Sequence, residues 1–242
     1  MAKNKIALIT GGSRGIGAAI ALRLAKDGYN IWLNYKTNTE AAEKVKTKIE
    51  KTGKKCKLLR FDVSNEEQTQ EILNSNLDNE IPDVLVNNAG ITKDTLMVWM
   101  SKDEWQSVID TTLLGFFLVT KAVLFGMLKR KSGRIINITS TTGQTGLAGQ
   151  VNYSAAKAGL IGATKALAKE VIPKGVYVNA VSPGFIDTEM IAHIPVEELI
   201  KNIPMKRTGK PEEIAGIVSF LCSKDADYIT GQVISANGGS YI

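Results

Sequence analysis

The segment KIALITGGSRGIG, residues 5–17, decides the fold, because a short apolar run passes through a glycine-rich turn directly into a helical pattern. The run IALIT is apolar on both faces, which is typical of a parallel strand covered by helices on both sides. The glycines at 11, 12, 15 and 17 permit a tight turn with positive φ and let another group approach the backbone closely. The segment therefore predicts a strand–turn–helix unit that binds an anion at its turn, since the first N–H groups of a helix are free to bind one.

The rest of the chain repeats this alternation of short β-branched runs and longer amphipathic segments. Strands are predicted at Lys5–Thr10, Asn30–Asn34, Lys57–Phe61, Val84–Asn87, Arg134–Thr139, Val176–Val181 and Gln232–Ala236. Helices are predicted at Ile16–Lys26, Glu40–Lys51, Glu66–Asn76, Asp103–Lys129, Ser154–Ile172 and Glu212–Ser223. This alternation predicts an α/β fold: a single doubly wound (Rossmann-type) parallel sheet of about seven strands with helices on both faces. No linker or internal repeat divides the chain, so one domain is expected over residues 1–242.

The glycine-rich turn is predicted to bind a dinucleotide, because the first strand–helix turn of a doubly wound sheet is where such ligands bind. Its spacing, GxxxGxG, differs from the common GxGxxG, and glycine-rich turns also occur for purely structural reasons. The second strand ends at residues 34–36, and no acid between Asp27 and Glu40 is available to bond the ribose hydroxyls of NAD. Arg14 and Lys36 are placed to face a 2′-phosphate instead, which favours NADPH, although a basic loop at a strand end can also be only solvated surface.

The composition is that of a globular protein, with 242 residues, 44% hydrophobic and 22% charged, and a net charge of +6. The densest basic stretch, Lys44–Lys57, has no interleaved aromatic residues, so it indicates a solvated helix face and no nucleic-acid partner. Cys56 and Cys222 lack metal-ligand spacing, and His193 is the only histidine. A Ser/His/Asp triad and a zinc site are therefore not expected, and no metal is predicted.

The apolar run near the N-terminus is too short for a signal peptide. No stretch approaches the roughly 18 apolar residues of a membrane span. A cytoplasmic protein without a membrane partner is therefore expected.

Three side chains near the middle of the chain carry the predicted chemistry. Ser140 follows the fifth strand, Tyr153 comes thirteen residues later, and Lys157 lies four further on at a helix start. Residues four apart share one face of a helix, so the phenol and the ammonium can converge. Reduction of a ketone needs a proton on the oxygen, and an adjacent ammonium is expected to lower the pKa of a phenol that supplies it. A serine hydroxyl can hydrogen-bond the oxygen where negative charge develops. By itself, however, a tyrosine four residues before a lysine is a common chance pair.

These motifs together resemble one family. The segment TGGSRGIG, Asp62-Val63, Asn87-Asn88-Ala89-Gly90, Ser140, Tyr153-x-x-x-Lys157 and Pro183-Gly184 form the motif set of the short-chain dehydrogenases/reductases. Within that family the chain is most similar to the β-ketoacyl-[acyl-carrier-protein] reductases, through Gly149-Gln150-x-Asn152-Tyr153, Pro183-Gly184-Phe185-Ile186-x-Thr188, Tyr228-Ile229-Thr230-Gly231 and Asn237-Gly238-Gly239. The resemblance covers the whole chain and implies NADPH-dependent reduction of a 3-oxoacyl chain.

The resemblance also implies roles for individual residues. Asp62 and Val63 would bracket the adenine, Lys157 would hold the nicotinamide ribose, and Ile186 and Thr188 would contact the carboxamide. The full set of expected cofactor-binding residues is Gly11, Ser13, Arg14, Gly15, Ile16, Gly17, Asn34, Tyr35, Lys36, Asp62, Val63, Asn88, Ala89, Gly90, Tyr153, Lys157, Pro183, Gly184, Ile186 and Thr188. Residues 189–205 would form a mobile lid over the substrate.

The resemblance implies partners as well. Family members are usually homotetramers, and an acyl-carrier protein would dock on basic residues near the cleft, with Lys129, Arg130, Lys131 and Lys174 as candidates. These lysines and arginine can equally be plain solvated charges.

One position departs from the family pattern. The segment Asp110-Thr111-Thr112-Leu113 places Thr112 where the family usually has an asparagine that holds a water for proton relay. Threonine keeps a hydroxyl but lacks the amide's donors and carbonyl. Thr112 is therefore a candidate catalytic residue of altered function. Together with the segment MVWM at residues 97–100, it also resembles reductases of aryl-polyene pathways, although such an apolar run can equally be core or subunit interface.

Three hypotheses follow from the sequence. The first is reduction of a 3-oxoacyl thioester, with Tyr153 as proton donor, Ser140 orienting the oxygen and Lys157 tuning the phenol. The second keeps this chemistry on a free ketone, sugar or quinone. The third, motivated by Thr112, is an NADP-binding subunit without catalysis.

Overall fold

The computed structural model describes residues 5–77, 80–192 and 194–242, and the histidine at 193 lies outside them. Over these residues the chain forms one seven-stranded, all-parallel sheet in the order β3-β2-β1-β4-β5-β6-β7. The strands are β1 (Ile6–Ile9), β2 (Asn30–Tyr35), β3 (Cys56–Arg60), β4 (Val84–Asn87), β5 (Gly133–Ile138), β6 (Val176–Pro183) and β7 (Val233–Ala236). The predicted Rossmann-type sheet is confirmed, and each predicted strand overlaps an observed one.

The helices alternate with these strands along the chain. They are α1 (Gly15–Lys26), α2 (Thr39–Glu50), α3 (Glu66–Leu77), α4 (Lys102–Ile109), α5 (Gly115–Arg130), α6 (Thr142–Thr145), α7 (Val151–Val171), α8 (Val196–Lys201) and α9 (Pro211–Leu221). The short helices α6 and α8 were not predicted, because one or two turns leave too little periodicity to recognise.

Two hydrophobic clusters show that helices cover both faces of the sheet. On β1, Ala7 and Ile9 belong to the cluster that contains residues of α1, α2 and α9. Ile6 and Leu8 point to the opposite cluster, with residues of α3, α5 and α7. Side chains alternate between the two faces of a strand, so an apolar run such as IALI is buried completely when both faces are covered.

The helix between β4 and β5 is continuous but irregular. A π turn at Asp110–Leu114 joins α4 to α5, and Thr112 is buried within it. Contrary to the expectation from the sequence, the whole helix from Lys102 to Arg130 is long and apolar enough, by length and composition alone, to cross a membrane. One side of it packs into the core through residues such as Val119, Val123 and Met127, which explains its apolar character.

The topology places a crevice at one edge of the sheet. The order of the strands reverses between β1 and β4, and the loops at the carboxyl ends of these two strands diverge to opposite faces. Ligands of doubly wound sheets bind at such switch points.

Candidate active site

A cavity of about 870 Å³ lies along the carboxyl edge of the sheet, between the loops that follow β1 to β6. Every expected cofactor-binding residue lines it: Gly11, Ser13, Arg14, Gly15, Ile16, Gly17, Asn34, Tyr35, Lys36, Asp62, Val63, Asn88, Ala89, Gly90, Tyr153, Lys157, Pro183, Gly184, Ile186 and Thr188. Ser140 lines it too. The fold thus gathers into one cleft the expected cofactor-binding residues, which lie up to 177 positions apart in the chain, from Gly11 to Thr188.

The glycine-rich turn is held in a conformation that leaves almost no room for side chains. Gly11 and Gly15 have φ values of +62° and +52°, which disfavour other residues. A Cβ on Gly17 would lie 2.4 Å from the carbonyl oxygen of Gly11, so the helix start packs directly against the turn. A Cβ on Gly15 would lie 3.3 Å from Thr188 Cγ2, on the other side of the cleft. Glycine at these positions therefore keeps the cradle narrow and its backbone accessible.

Two asparagines fix this turn from below. Asn34 Oδ1 accepts a hydrogen bond from the Gly11 N–H at 3.2 Å, and its amide nitrogen donates to the Phe61 carbonyl at 2.9 Å. Asn88 donates to the carbonyls of Thr10 and Gly11 at 2.9 and 3.1 Å. The amide groups of Asn34 and Asn88 thus form hydrogen bonds within the protein, and these bonds hold the backbone of the cradle in place.

The cradle fits the pyrophosphate of a dinucleotide. Helix α1 begins at Gly15 without an acidic residue in its first turn and without a side-chain cap, so its first N–H groups stay available to an anion. The glycines leave space where side chains would otherwise fill the cleft. The residues present are those that would hold the diphosphate of a nicotinamide cofactor.

The two cations expected at a 2′-phosphate are both paired with carboxylates. Arg14 Nη1 lies 2.9 Å from Glu189 Oε2, and Lys36 Nζ lies 2.6 Å from Asp62 Oδ2. Partial burial by itself would raise the pKa of Asp62, but hydrogen bonds from Lys36 and Ser64 outweigh it, and the pKa lies below its usual value. Asp62 is therefore ionised at neutral pH beside Lys36.

The predicted catalytic residues meet at one end of the cleft. Ser140 follows β5, and its neighbours Thr139 and Thr141 donate backbone hydrogen bonds to Val181 and Pro183 of β6 at 2.8 and 2.9 Å. Tyr153 is in the first turn of α7, and Lys157 follows one turn later on the same side. Lys157 Nζ lies 5.5 Å from the centre of the Tyr153 ring. The phenol and the ammonium therefore converge as predicted.

Lys157 is almost completely buried, at 3% exposure, and donates to the Ile138 carbonyl at 2.8 Å. A Cβ on Gly90 would lie 3.4 Å from its Nζ, and one on Gly143 would lie 2.7 Å from its carbonyl carbon. These two glycines make room for the lysine head and for its stretch of α7. Burial lowers the pKa of Lys157 to about 8.

The pKa of Tyr153 differs from the prediction. Burial raises the pKa of Tyr153, a hydrogen bond from Ser140 lowers it, and the charge of Asp94 raises it. The resulting pKa is about 12. The pKa of Tyr153 is therefore raised and not lowered in the protein alone, because burial penalises the phenolate more than the hydrogen bond from Ser140 stabilises it. Tyr153 is therefore fully protonated at neutral pH, as a proton donor must be before it reacts.

Thr112 does not line the cleft, and Thr111 lies there instead. Within the part of the chain that the structure describes, the buried hydroxyl of Thr112 has no hydrogen-bond partner. Thr111 uses its own hydroxyl to bond the Ser107 carbonyl at 2.8 Å. The π turn sets the orientation of both residues, and the sequence alone gave no sign of it.

Sequence reasoning missed several residues of this cleft. Thr92 and Thr111 line it, and Asp94 influences Tyr153 through its charge. Asp94 accepts a hydrogen bond from Gln150 at 2.6 Å, which ties the loop after β4 to the loop before Tyr153. Thr92 and Asp94 lie in an irregular loop and Thr111 in the π turn, and no periodic pattern predicts the spatial neighbours of such segments.

The predicted docking cations lie elsewhere. Lys129, Arg130 and Lys131 end α5, and Lys174 precedes β6, so all four lie at the amino edge of the sheet, opposite the cleft. Arg130 also bonds the Ile81 and Pro82 carbonyls, both at 2.9 Å, and pairs with Asp83. The prediction that they lie near the cleft is wrong for a single chain, because in a parallel sheet the helix that precedes a strand ends at that strand's amino edge.

The apolar segment at residues 97–100 is not part of the core. Met97, Val98 and Trp99 expose 62%, 78% and 73% of their surface. From the sequence, this apolar run could be either core or subunit interface, and only a subunit interface is compatible with this exposure.

No group of three or more His, Cys, Asp or Glu side chains that could hold a metal ion occurs among the described residues.

A glycine cradle for a dinucleotide, joined in one cleft to a serine, a tyrosine and a lysine, defines a dinucleotide-dependent oxidoreductase. The family model that matches this chain is also that of an oxidoreductase. Residues 11–241 match the family model described as enoyl-(acyl carrier protein) reductase. The chain belongs to the short-chain dehydrogenase/reductase family, whose members use a nicotinamide cofactor.

Curated relatives align over nearly the whole chain. The 3-oxoacyl-[acyl-carrier-protein] reductase of Synechocystis is 49% identical over 97% of this chain and 96% of the relative. The acetoacetyl-CoA reductase of Shinella zoogloeoides is also 49% identical, over 98% of this chain and 99% of the relative. The 3-oxoacyl-[acyl-carrier-protein] reductase of Pseudomonas aeruginosa is 47% identical over 99% and 98%.

Proposed function

We propose that this protein reduces the ketone of a 3-oxoacyl thioester to the 3-hydroxyacyl product, with NADPH as reductant and acyl-carrier protein as the carrier. The observation that carries the proposal is the meeting of Ser140, Tyr153 and Lys157 beside the dinucleotide cradle in one cleft. The relatives named as 3-oxoacyl-carrier-protein and acetoacetyl-CoA reductases support the same substrate class, a 3-oxoacyl thioester. Chain elongation of a fatty-acid or polyene type is the corresponding process.

The nicotinamide cofactor, when bound, supplies the hydride for the ketone carbon. The cradle at Gly11 and Gly15 to Gly17, with the N-terminus of α1, would hold its diphosphate. Asp62 and Val63 would contribute to the adenine end, and Ile186 and Thr188 to the nicotinamide end. Arg14 and Lys36, each paired with a carboxylate in this structure, are the cations that would face a 2′-phosphate, and they support NADPH over NADH.

Three residues of the chain handle the proton. Ser140 donates a hydrogen bond to the ketone oxygen, which fixes its direction and stabilises the negative charge that develops there. Tyr153, protonated at neutral pH, gives its proton to that oxygen. Lys157 stabilises the phenolate that results, because its ammonium is held beside the ring by the Ile138 carbonyl. Thr112 is buried in the π turn and does not line the cleft, so it has no part in this proposed proton transfer.

We further propose that residues 189–205 act as a lid on the substrate. Its flanks are anchored, since Asp187 donates to the Gly209 carbonyl at 2.8 Å and the Gly209 N–H donates to Phe185 at 2.9 Å. Glu189, Met190 and Ile191 line the cleft. The flanks of the segment are thus anchored, and its first three residues border the cleft, which supports the proposed lid.

A homotetramer in the cytoplasm is the proposed state of the protein. On α5, Phe117 and Phe125 expose 49% and 76% of their surface, and Met97 to Trp99 are exposed as well. Large apolar side chains exposed in such numbers favour contact with another subunit.

Steady-state oxidation of NADPH, followed by the nicotinamide absorbance, tests the proposed function. Acetoacetyl-CoA and a 3-oxoacyl-carrier protein are compared with free ketones, sugars and quinones, each with NADPH and with NADH. The proposal expects the highest kcat/KM for thioesters with NADPH. A higher value for a free ketone would favour the second substrate class. Binding of NADPH without turnover of any ketone would favour a non-catalytic subunit, and reduction of an enoyl thioester alone would favour the reaction for which the family model is described.

A further inference from the structure

The contact between Arg14 and Glu189 spans the mouth of the cleft. Arg14 belongs to the glycine-rich turn, and Glu189 is the first residue of the proposed lid, 175 positions later in the chain. The backbone approaches closely at the same place, since a Cβ on Gly15 would lie 3.3 Å from Thr188. The turn that cradles the diphosphate and the base of the lid therefore meet directly over the cleft.

We propose that Glu189 competes with the 2′-phosphate of NADPH for Arg14, and so sets the affinity for NADPH relative to NADH. This inference rests on the proposed function, in which Arg14 faces that phosphate. It assigns to Glu189 a role in cofactor selection that is separate from the chemistry at Tyr153.

The exposure of the pair makes such an exchange feasible. The side chains of Arg14 and Glu189 are 66% and 73% exposed, so solvent screens the ion pair and it contributes little free energy. A guanidinium binds a phosphate through two parallel hydrogen bonds, which are stronger than a single contact with a carboxylate. The phosphate therefore displaces Glu189, but the lost ion pair is subtracted from the affinity for NADPH.

Lys36 differs from Arg14 in this respect. Its partner Asp62 is mostly buried and also accepts two hydrogen bonds from Ser64, at 2.7 and 3.0 Å. Asp62 therefore stays in place when a ligand approaches Lys36, whereas the carboxylate of Glu189 has Arg14 as its one polar partner among the described residues. Binding of Arg14 to the phosphate consequently releases the Glu189 carboxylate, whereas Asp62 keeps its contacts with Ser64.

Dissociation constants of NADPH and NADH for the wild-type protein and for Glu189→Gln test the inference. We expect NADPH to bind about two- to fivefold more tightly to the variant, the fold-change that corresponds to one exposed ion pair. NADH, which lacks the 2′-phosphate, should bind with unchanged affinity. The fluorescence of the bound nicotinamide reports both constants without any turnover.

Two further variants separate the mechanism from a general effect of charge. Glu40→Gln removes a carboxylate from an equally exposed pair, 2.6 Å from Lys44 on α2, and should leave both constants unchanged. In an Arg14→Ala background, Glu189→Gln should lose its effect on NADPH, because no guanidinium remains to compete for.

The outcomes are distinguishable. If the wild-type protein does not prefer NADPH to NADH, the proposed cofactor fails, and the inference fails with it. If NADPH is preferred but Glu189→Gln leaves its affinity unchanged or weaker, only the inference is overturned. The inference is also overturned if Glu189→Gln binds NADH more tightly by the same factor, or if the gain in NADPH affinity persists in the Arg14→Ala background. In either case Glu189 would act by repelling the diphosphate.

Discussion

At the scale of single residues, the site combines a protonated tyrosine with a lysine whose charge is costly to bury. The lowering of the Lys157 pKa from 10.5 to about 8 corresponds to a free-energy cost on the order of 3 kcal/mol for the buried ammonium. Replacing such a buried charge with an apolar side chain of similar shape is often neutral or stabilising. The stability that the protein gives up at Lys157 is therefore consistent with a function at this position.

Replacing Lys157 with methionine should make the protein more stable and inactive. The pKa of Lys157 is lower in the folded protein than in the unfolded chain, so the unfolded chain binds this proton more tightly. The loss of stability that the buried ammonium causes is therefore fully present below about pH 8. We expect Lys157→Met to raise the free energy of unfolding at pH 7 by about 1–3 kcal/mol, less at pH 9.5, and to abolish turnover. Urea denaturation at the two pH values measures this. Lys48→Met, on the exposed side of α2, is the control and should show no such pH dependence. A loss of stability at pH 7 would contradict the account.

Thr112 offers a second test at this scale, because its buried hydroxyl has no partner among the described residues. An unpaired buried hydroxyl costs about 1–3 kcal/mol, so Thr112→Val should raise stability by part of that amount. Since Thr112 does not line the cleft, kcat should stay within about twofold of the wild-type value. Thermal unfolding and steady-state kinetics are the measurements, with Thr112→Ser as the control that keeps the hydroxyl. A loss of kcat without a gain in stability would mean that the hydroxyl holds a water of the proton relay.

At the scale of elements, the strands could be predicted from the sequence and the irregular segments could not. Runs such as IALI are apolar on both faces because helices cover both sides of the sheet, and this leaves a clear signal. The π turn at Asp110–Leu114 leaves none, since its residues look like any helix interior. The pairing of Arg14 with Glu189 was equally hidden, because it joins two loops far apart in the chain.

The glycine-rich turn gives a prediction at the scale of elements. A methyl group on Gly17 would lie 2.4 Å from the Gly11 carbonyl and 2.5 Å from Asn88 Nδ2, and a backbone carbonyl cannot rotate away as a side chain can. We expect Gly17→Ala to distort the cradle and to reduce the binding free energy of NADPH by more than about 1.4 kcal/mol. This corresponds to a loss of affinity of more than about tenfold. Titration of nicotinamide fluorescence measures this.

Gly162 provides the matched control. It lies inside α7, and a Cβ there would meet nothing within 4 Å. Gly162→Ala should therefore stabilise the protein by about 0.5–1 kcal/mol, because alanine is the better helix former, and should leave NADPH affinity unchanged. Equal binding by both variants would show that the turn does not need a glycine at 17.

At the scale of the whole molecule, the fold class and the residues that line the cleft could be predicted from the sequence. The positions of the basic residues and the exposed apolar side chains relative to the cleft were not predicted. Alternating strands and helices fix which loops meet at the carboxyl edge, so the expected cofactor residues all line one cavity. The same topology places Lys131 and Lys174 at the opposite edge, and chain order could have revealed this. The exposure of Phe125 could not be predicted, because an apolar residue on a helix is indistinguishable from a core residue by pattern alone.

The exposed apolar side of α5 gives the prediction for the assembly. Phe125, exposed at 76%, would be buried in a contact between subunits, where a carboxylate is strongly unfavourable. We expect Phe125→Asp to reduce the mass of the particle in solution, as measured by light scattering after gel filtration, while Phe125→Leu keeps the wild-type mass. A wild-type protein that is monomeric, or an aspartate variant that assembles normally, would contradict the proposed tetramer.

The central claim is that Tyr153 protonates the ketone of a 3-oxoacyl thioester while NADPH is bound in the cleft. The most direct test is the kcat of wild-type protein and Tyr153→Phe with NADPH and acetoacetyl-CoA, alongside the dissociation constant of NADPH for both. The account predicts wild-type turnover, a loss of at least about a hundredfold in the variant, and NADPH affinity within a few-fold, since phenylalanine removes only the hydroxyl that supplies the proton. A variant that retains turnover within tenfold of the wild type while binding NADPH normally would contradict it.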